Sequence, residues 1–133
     1  MIVLDTHTLI WWASSNERLS PKALDTINSE LDTEDGSIIV SSMSAWELAM
    51  LENAGRITLT LPVNDWLATL AEIDSLRFLP VDNAVAVAST RLPGNFHKDP
   101  ADRMIVALAR HLNAALVTAD MKIRAYKHVK TVW

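Results

Sequence analysis

Short, unbroken apolar runs alternate along this chain with longer stretches in which apolar residues recur every three or four positions. Ile2 to Leu4, ending at Asp5, reads as a buried strand, and Ile38 to Val40, Phe78 to Val81, Ala115 to Thr118 and a last short run near Val129 to Val132 read the same way. Between them lie predicted helices. Thr6 to Ala13 carries Leu9, Ile10, Trp11 and Trp12, and Ser20-Pro21 supplies an N-cap and first-turn proline for a helix to about Asp35, ended by Gly36. Further helices are expected over about residues 43 to 54, closed by Gly55, over Val63 to Asp74, over Asn83 to about Thr90, and over Pro100 to Leu112, with a helical turn after Asp120. Strands that are continuously apolar are covered on both faces, so the expected fold class is α/β: a central parallel sheet of about four to five strands with helices on both faces. No linker, repeat or low-complexity stretch divides it, and residues 1–133 are expected to form one domain.

Four carboxylates stand where this pattern changes: Asp5 and Asp120 after strands, Glu47 in Ser44-Ala45-Trp46-Glu47-Leu48, and Asp102 in Asp99-Pro100-Ala101-Asp102-Arg103. In parallel sheets ligands bind beyond the carboxyl ends of the strands, where Asp5 and Asp120 fall. Each acid also has a purely structural reading. Asp5 can cap the helix beginning at Thr6, Glu47 can close a capping box with Ser44, Asp120 can cap the turn after it, and Asp102 sits in a first turn where the helix dipole favours a carboxylate. For Asp99, directly before Pro100, the cap is the preferred role. Taken together, four acids brought to one sheet edge would repel one another unless a cation neutralised them, and an all-oxygen set suits Mg2+ or Mn2+.

Charge and composition narrow the field. The net charge is -4, but residues 1–90 hold four basic against 13 acidic side chains, whereas eight basic residues face only Asp99, Asp102 and Asp120 from Arg91 onward. A last third so rich in cations suits a phosphate backbone, with solvated helix faces as the alternative. The chain has no cysteine, which removes any disulfide framework and any cysteine-based zinc or redox site. No apolar run approaches the ~18 residues of a membrane span, and no basic leader precedes the first strand, so a soluble cytoplasmic protein is expected.

Four ordered segments carry a resemblance: Met1-Ile2-Val3-Leu4-Asp5-Thr6-His7-Thr8-Leu9-Ile10-Trp11-Trp12; Val40-Ser41-Ser42 with Trp46-Glu47-Leu48; His97-Lys98-Asp99-Pro100-Ala101-Asp102-Arg103-Met104-Ile105-Val106-Ala107; and Leu116-Val117-Thr118-Ala119-Asp120. Together they resemble the signatures of PIN-domain ribonucleases, on the side of the VapC-type toxins of prokaryotic toxin-antitoxin pairs. The resemblance implies a PIN-like fold and a catalytic, metal-binding quartet of Asp5, Glu47, Asp102 and Asp120 around Mg2+ or Mn2+. It also implies cleavage of single-stranded RNA and a cognate antitoxin that blocks the site, in a homodimer or a toxin-antitoxin hetero-oligomer. Two positions depart from the family pattern: Leu51 stands where a Lys is frequent, and Ala101 where an aromatic is. Both bear on substrate contacts and leave the acids untouched.

Around the quartet, Thr6 and Asp99 are expected as supporting residues, and His97 and Arg103 are candidate RNA contacts, Arg103 by its guanidinium on a phosphate. Trp11 and Trp12 are adjacent on one short helix, so one of them is expected at the surface, against a partner or a base. Two further functions remain open at this point. One is a housekeeping RNA-processing nuclease, distinguished by the absence of an antitoxin reading frame beside its gene. The other is a silent α/β binding module whose acids are only caps, which would bind no divalent cation.

Overall fold

The structure is a computed structural model describing residues 1–133. Five parallel strands, β1 (Ile2–Leu4), β2 (Ile38–Ser41), β3 (Leu76–Leu79), β4 (Ala115–Val117) and β5 (Thr131–Val132), form one sheet in the order β3-β2-β1-β4-β5. The register is level, with Leu4 opposite both Val40 and Val117, so β1, β2 and β4 run out at the same height. The direction of sheet growth reverses between β1 and β4. That is where a crevice opens in such sheets.

Seven helices cover the two faces: α1 (Thr6–Ala13), α2 (Pro21–Asp32), α3 (Ser42–Asn53), α4 (Val63–Ala71), α5 (Asn83–Ser89), α6 (Pro100–His111) and α7 (Met121–Arg124). Alternate residues of each strand supply two separate cores. Val3, Ile39 and Leu116 pack with Ile105, Val106 and Leu108 of α6 and with Ile123 and Tyr126. Ile2, Leu4, Ile38, Val40 and Val117 pack with Leu9, Ala23, Ile27, Leu48 and Leu70 from the first four helices. Both faces of β1 and β2 are therefore dry, which is why their sequence shows no polar alternation. No helix is long and apolar enough to cross a membrane.

Local chemistry sets most of the boundaries. Ser20 caps α2 by accepting from Ala23 N at 3.0 Å, ahead of Pro21. Gly55, at φ 69°, follows α3 in the left-handed conformation, with Gly55 N donating to Glu52 O and Arg56 N to Leu51 O. Several expected boundaries shift: α4 ends at Ala71 rather than Asp74, and the last strand is only Thr131–Val132. Helix α2 ends at Asp32 rather than about Asp35, because Thr33 is already extended. The run expected at Phe78 to Val81 begins and ends earlier, at Leu76–Leu79, since Val81 N turns away to Ser42 Oγ at 3.1 Å.

Gly36 is not a helix cap but a crossing point. A Cβ built there would lie 1.7 Å from the carbonyl oxygen of Glu30, so the chain must be bare to pass the end of α2. The Glu30 carboxylate secures that crossing, taking the N-terminal ammonium at 3.0 Å and Ser37 N at 2.9 Å. Ammonium and backbone donors together hold its pKa below the ordinary range against a desolvation that pushes it up. Gly36→Ala is expected to cost about 2 kcal/mol, read as a lower urea midpoint with unchanged slope. A midpoint at the wild-type value would remove the crossing contact.

Candidate functional site

Helices α1, α6 and α7 all begin at the carboxyl edge of the sheet, and each is capped by an aspartate. Asp5 accepts from Thr8 N at 2.9 Å through Oδ1. Asp99 accepts from Asp102 N at 3.0 Å, and Asp120 from Lys122 N at 2.8 Å and Ile123 N at 3.1 Å. These caps are also the walls of one cleft. A cavity of about 430 Å³ is lined by Asp5, Thr6, Glu47, Asp99, Asp102 and Asp120, with His7, Trp11 and Ala119 completing it. Cap and site member are thus not alternatives here: a cap carries its carboxylate to a helix N-terminus, and three N-termini converge. Asp99, expected only as a support, lines the cleft beside Asp102 while it caps α6.

Glu47 arrives by another route. Its capping-box reading fails, because α3 starts earlier and is capped by Ser41, whose Oγ accepts from Met43 N at 3.0 Å. Glu47 lies instead in the body of the helix and faces α1, where Thr6 Oγ1 donates to its Oε1 at 2.6 Å. Ser44 Oγ lies 2.9 Å from the same threonine oxygen. With one proton on each hydroxyl, Thr6 gives its own to the carboxylate and receives that of Ser44. The support expected of Thr6 is therefore to orient Glu47.

Thr118, which the sequence left without a role, ties two of the acids together. Its buried hydroxyl accepts from Asp120 N at 3.0 Å and donates to Asp5 Oδ2 in a short contact. Thr8 Oγ1 donates to Val117 O at 2.9 Å alongside, so α1 and β4 are pinned to each other at the crevice. Thr118 stands in one of the four ordered segments without a role of its own, and Ser44 reads in the sequence as the N-cap of a capping box with Glu47; no local pattern points to the contacts they make.

The electrostatics are those of an uncompensated acid cluster. Burial pushes the Asp5 and Glu47 carboxyls up from their ordinary range, against hydrogen bonds that hold them down. Asp102 goes furthest, to about 7, through burial first and then the negative charges of Asp99, Asp120, Glu47 and Asp5. No three of these groups close on a common point at coordination distance. Three of them keep an unbonded oxygen, since Glu47 Oε2, Asp102 Oδ1 and Asp120 Oδ2 take no hydrogen bond from the protein, whereas both oxygens of Asp5 already accept one. The donor set is entirely hard oxygen, which fits Mg2+ or Mn2+ and not a soft metal.

Two expectations about neighbouring residues change, for Arg103 and for the tryptophans. Arg103 does not reach toward the cleft or pair with an acid. Its Nε donates to Ser89 O at 2.8 Å and its Nη1 to Phe96 O and His97 O, each at 3.1 Å, so it braces the loop before α6. His97, held by that brace, lies with Nε2 3.1 Å from Asp102 Oδ2, in contact but not aligned as a hydrogen bond. Neither Trp11 nor Trp12 is the exposed tryptophan: Trp12, on α1, is half-buried against the core, and Trp11 lines the cleft between His7 and Trp133. Trp46 is the exposed one, at 54%.

Comparison with known proteins agrees with this architecture. The sequence profile of the family described as PIN domain matches residues 2–129. Ribonuclease VapC22 of Mycobacterium tuberculosis (strain ATCC 25618 / H37Rv) is 37% identical over 134 residues, covering 99% of this chain and 98% of its own length. Among solved structures, VapBC2 from Rickettsia felis bound to a promoter DNA fragment superposes with a TM-score of 0.66 at 16% identity, covering 98% of this chain and 97% of its own. The sarcin-ricin loop cleaving toxin VapC20 of Mycobacterium tuberculosis superposes with a TM-score of 0.61 at 12% identity, over 98% and 99%. Those two structures speak for the fold alone. With its profile match spanning nearly the whole sequence and a relative this similar over its full length, the chain belongs to the PIN-domain family, on its VapC branch.

Proposed function

We propose that this protein is a Mg2+- or Mn2+-dependent endoribonuclease that hydrolyses phosphodiesters of single-stranded RNA, and that it is the toxin of a toxin-antitoxin pair. The observation that carries this reading is the cleft itself: five carboxylates on one sheet edge, one of them pushed to about 7 by burial and then by the charges of its neighbours. Such a cluster serves no folding purpose that one or two caps would not serve, and it is relieved by a divalent cation. Ribonuclease VapC22, alike over the full length, supports the ribonuclease reading by its name, and a cognate antitoxin is inferred from the toxin-antitoxin complexes of similar fold, including one from Klebsiella pneumoniae with a TM-score of 0.65. The same branch favours a cytoplasmic protein, as a homodimer or within a toxin-antitoxin hetero-oligomer.

Asp5, Glu47, Asp102 and Asp120 would hold the cation. When bound, it supplies charge neutralisation at the scissile phosphate and Lewis acidity toward the attacking and leaving oxygens. The side chains do the rest. Asp5, fixed by Thr8 N and Thr118, and Asp120, fixed by two backbone amides, set the depth at which a phosphate can sit. Glu47, oriented by Thr6, or Asp120 would accept the proton of the attacking water. Asp99 keeps the start of α6, and with it Asp102, in register.

The test is cleavage of a labelled single-stranded RNA by the purified chain in Mg2+ or Mn2+, against the same reaction in EDTA. Internal cuts that need the cation are expected. Equal cutting in EDTA, or none in either, removes the reading.

A further inference from the structure

Beyond the acids, the cleft continues into a second kind of surface. A cavity of about 440 Å³ at His97, Asp102, Asp120 and Lys122 shares His97 and Lys122 with a neighbour of about 540 Å³. That neighbour shares Lys127 and His128 with a third of about 410 Å³, which ends at Asn113 and Lys130. The second and third cavities are lined by no carboxylate, so the only full charges along them are cations.

A row of rings runs the same way. His97 stands beside Asp102, its ring centroid 4.4 Å from that of Phe96; Phe96 is 4.7 Å from Tyr126, and Tyr126 is 5.3 Å from His128. Tyr126 is buried and anchors the row, its hydroxyl donating to Pro93 O, while Phe96 and His128 remain half-buried and offer ring surface. Gly94 lies against His128, where an added Cβ would come within 3.3 Å of Nε2, so the loop edge is bare at that ring. Arg103 holds the carbonyls of Phe96 and His97 from beneath. The wall is therefore built before any ligand arrives, which spares the ordering cost of binding. Aromatic surface beside a line of lysines is the arrangement that binds single-stranded nucleic acid without reading one fixed sequence.

We propose that this track, from His97 and Lys122 past Phe96 and His128 to Lys127 and Lys130, binds the single-stranded RNA that flanks the cut phosphodiester, with a base at the rings and phosphates at the lysines. It rests on the ribonuclease reading for the nature of its occupant. The opposite flank of the cleft, His7, Trp11 and Trp133, also has aromatic surface, but no lysine or arginine lines that cavity. The charge asymmetry of the sequence finds its place here. Lys122, Lys127 and Lys130 belong to the basic last third, and they stand together on one side of the acids.

The test is fluorescence anisotropy of a labelled single-stranded decaribonucleotide in EDTA across a KCl series, comparing wild type, Lys127→Ala/Lys130→Ala and the control Lys22→Ala on α2. The double variant is expected to bind about tenfold more weakly at ~0.1 M salt, and its log-log salt slope to fall by about 1.4, two phosphate contacts on a single strand. Lys22→Ala should match wild type. A photo-crosslink from 4-thiouridine RNA is expected in the peptides spanning 92–98 or 121–128. Wild-type affinity and slope in a double variant with wild-type circular dichroism overturn the track and leave its cations to an acidic peptide; crosslinks at Trp11 or Trp133 overturn it in favour of the other flank. If the protein cuts RNA while the double variant binds like wild type, the track fails and the ribonuclease reading stands. If RNA binds through these lysines but is never cut, the track stands and the ribonuclease reading falls.

Discussion

Asp5→Asn is expected to lower kcat/KM for RNA by about a thousandfold or more while leaving the fold intact. Asp5 is the acid most firmly built into the sheet edge, with one oxygen on Thr8 N and the other on Thr118. Asparagine keeps the amide oxygen for the Thr8 cap, so α1 still starts in place. It loses the hydroxyl bond from Thr118, worth about 1 kcal/mol, but also sheds a buried negative charge whose desolvation raised the pKa of the aspartate. The two changes oppose each other, and a melting temperature within a few degrees of wild type follows. Catalysis has no such compensation. A carboxylate holding a divalent cation takes part in several kcal/mol of transition-state charge stabilisation, and ~4 kcal/mol is three powers of ten in rate. Asp102→Asn should lose as much. Wild-type rates in both variants would separate the cleft from the chemistry; a loss that merely tracks unfolding on circular dichroism would make the acids structural.

Without a divalent cation, stability is expected to fall as pH rises from about 4 to about 7, and saturating Mn2+ should abolish that fall. The direction follows from Asp102. Its carboxyl titrates near 3.8 in the unfolded chain and at about 7 in the fold, so across that window the folded state holds a proton that the unfolded state has released. Stability then declines with rising pH, most of it lost by the folded pKa. Asp5 and Glu47 are shifted the same way and steepen the trend. Asp102→Asn removes the largest contributor. At pH 7.5 in EDTA it is expected to be more stable than wild type by about 1 kcal/mol, the relief of repulsion and burial being partly offset by the lost charge at the start of α6. Chemical denaturation at pH 5 and 7.5, with and without Mn2+, measures all of this. A wild type that gains stability between those pH values in EDTA would mean that the carboxylates are not crowded in solution.

The cluster also explains which parts of the molecule could be read from its sequence. Strands β1, β2 and β4 were legible because burial on both faces leaves no polar alternation, and the starts of α2 and α6 because Ser20-Pro21 and Asp99-Pro100 act within a single turn. Asp5, Glu47, Asp102 and Asp120 were legible as a set because three of them stand at helix starts beyond the sheet edge and the fourth lies in a recognisable segment. The end of α2 was not legible. Gly36 looks like a helix stop, but the need for it comes from Glu30 O across a turn, a contact no local pattern encodes.

Roles that depend on a partner distant in sequence were equally hidden. Thr118 bonds Asp5 across 113 residues, and Ser44 and Glu47 meet Thr6 across about forty. Arg103 was placed on the wrong side of its helix: adjacency to Asp102 in sequence sends the two side chains in different directions on α6, one to the cleft and one to the loop carbonyls. Trp46, next to Glu47, turns outward for the same reason that Glu47 turns inward.

The proposed function requires the acid cleft to hold a divalent cation. Isothermal titration of Mn2+ into the protein at pH 6, repeated in two buffers of different ionisation enthalpy, tests it most directly, because a carboxyl with a pKa of about 7 must give up its proton to bind metal. Saturable binding is expected, with close to one proton released per ion at pH 6, little release at pH 8, and no detectable binding to Asp5→Asn/Asp102→Asn. Heats that show no saturation, or binding that persists unchanged in the double variant, would contradict it.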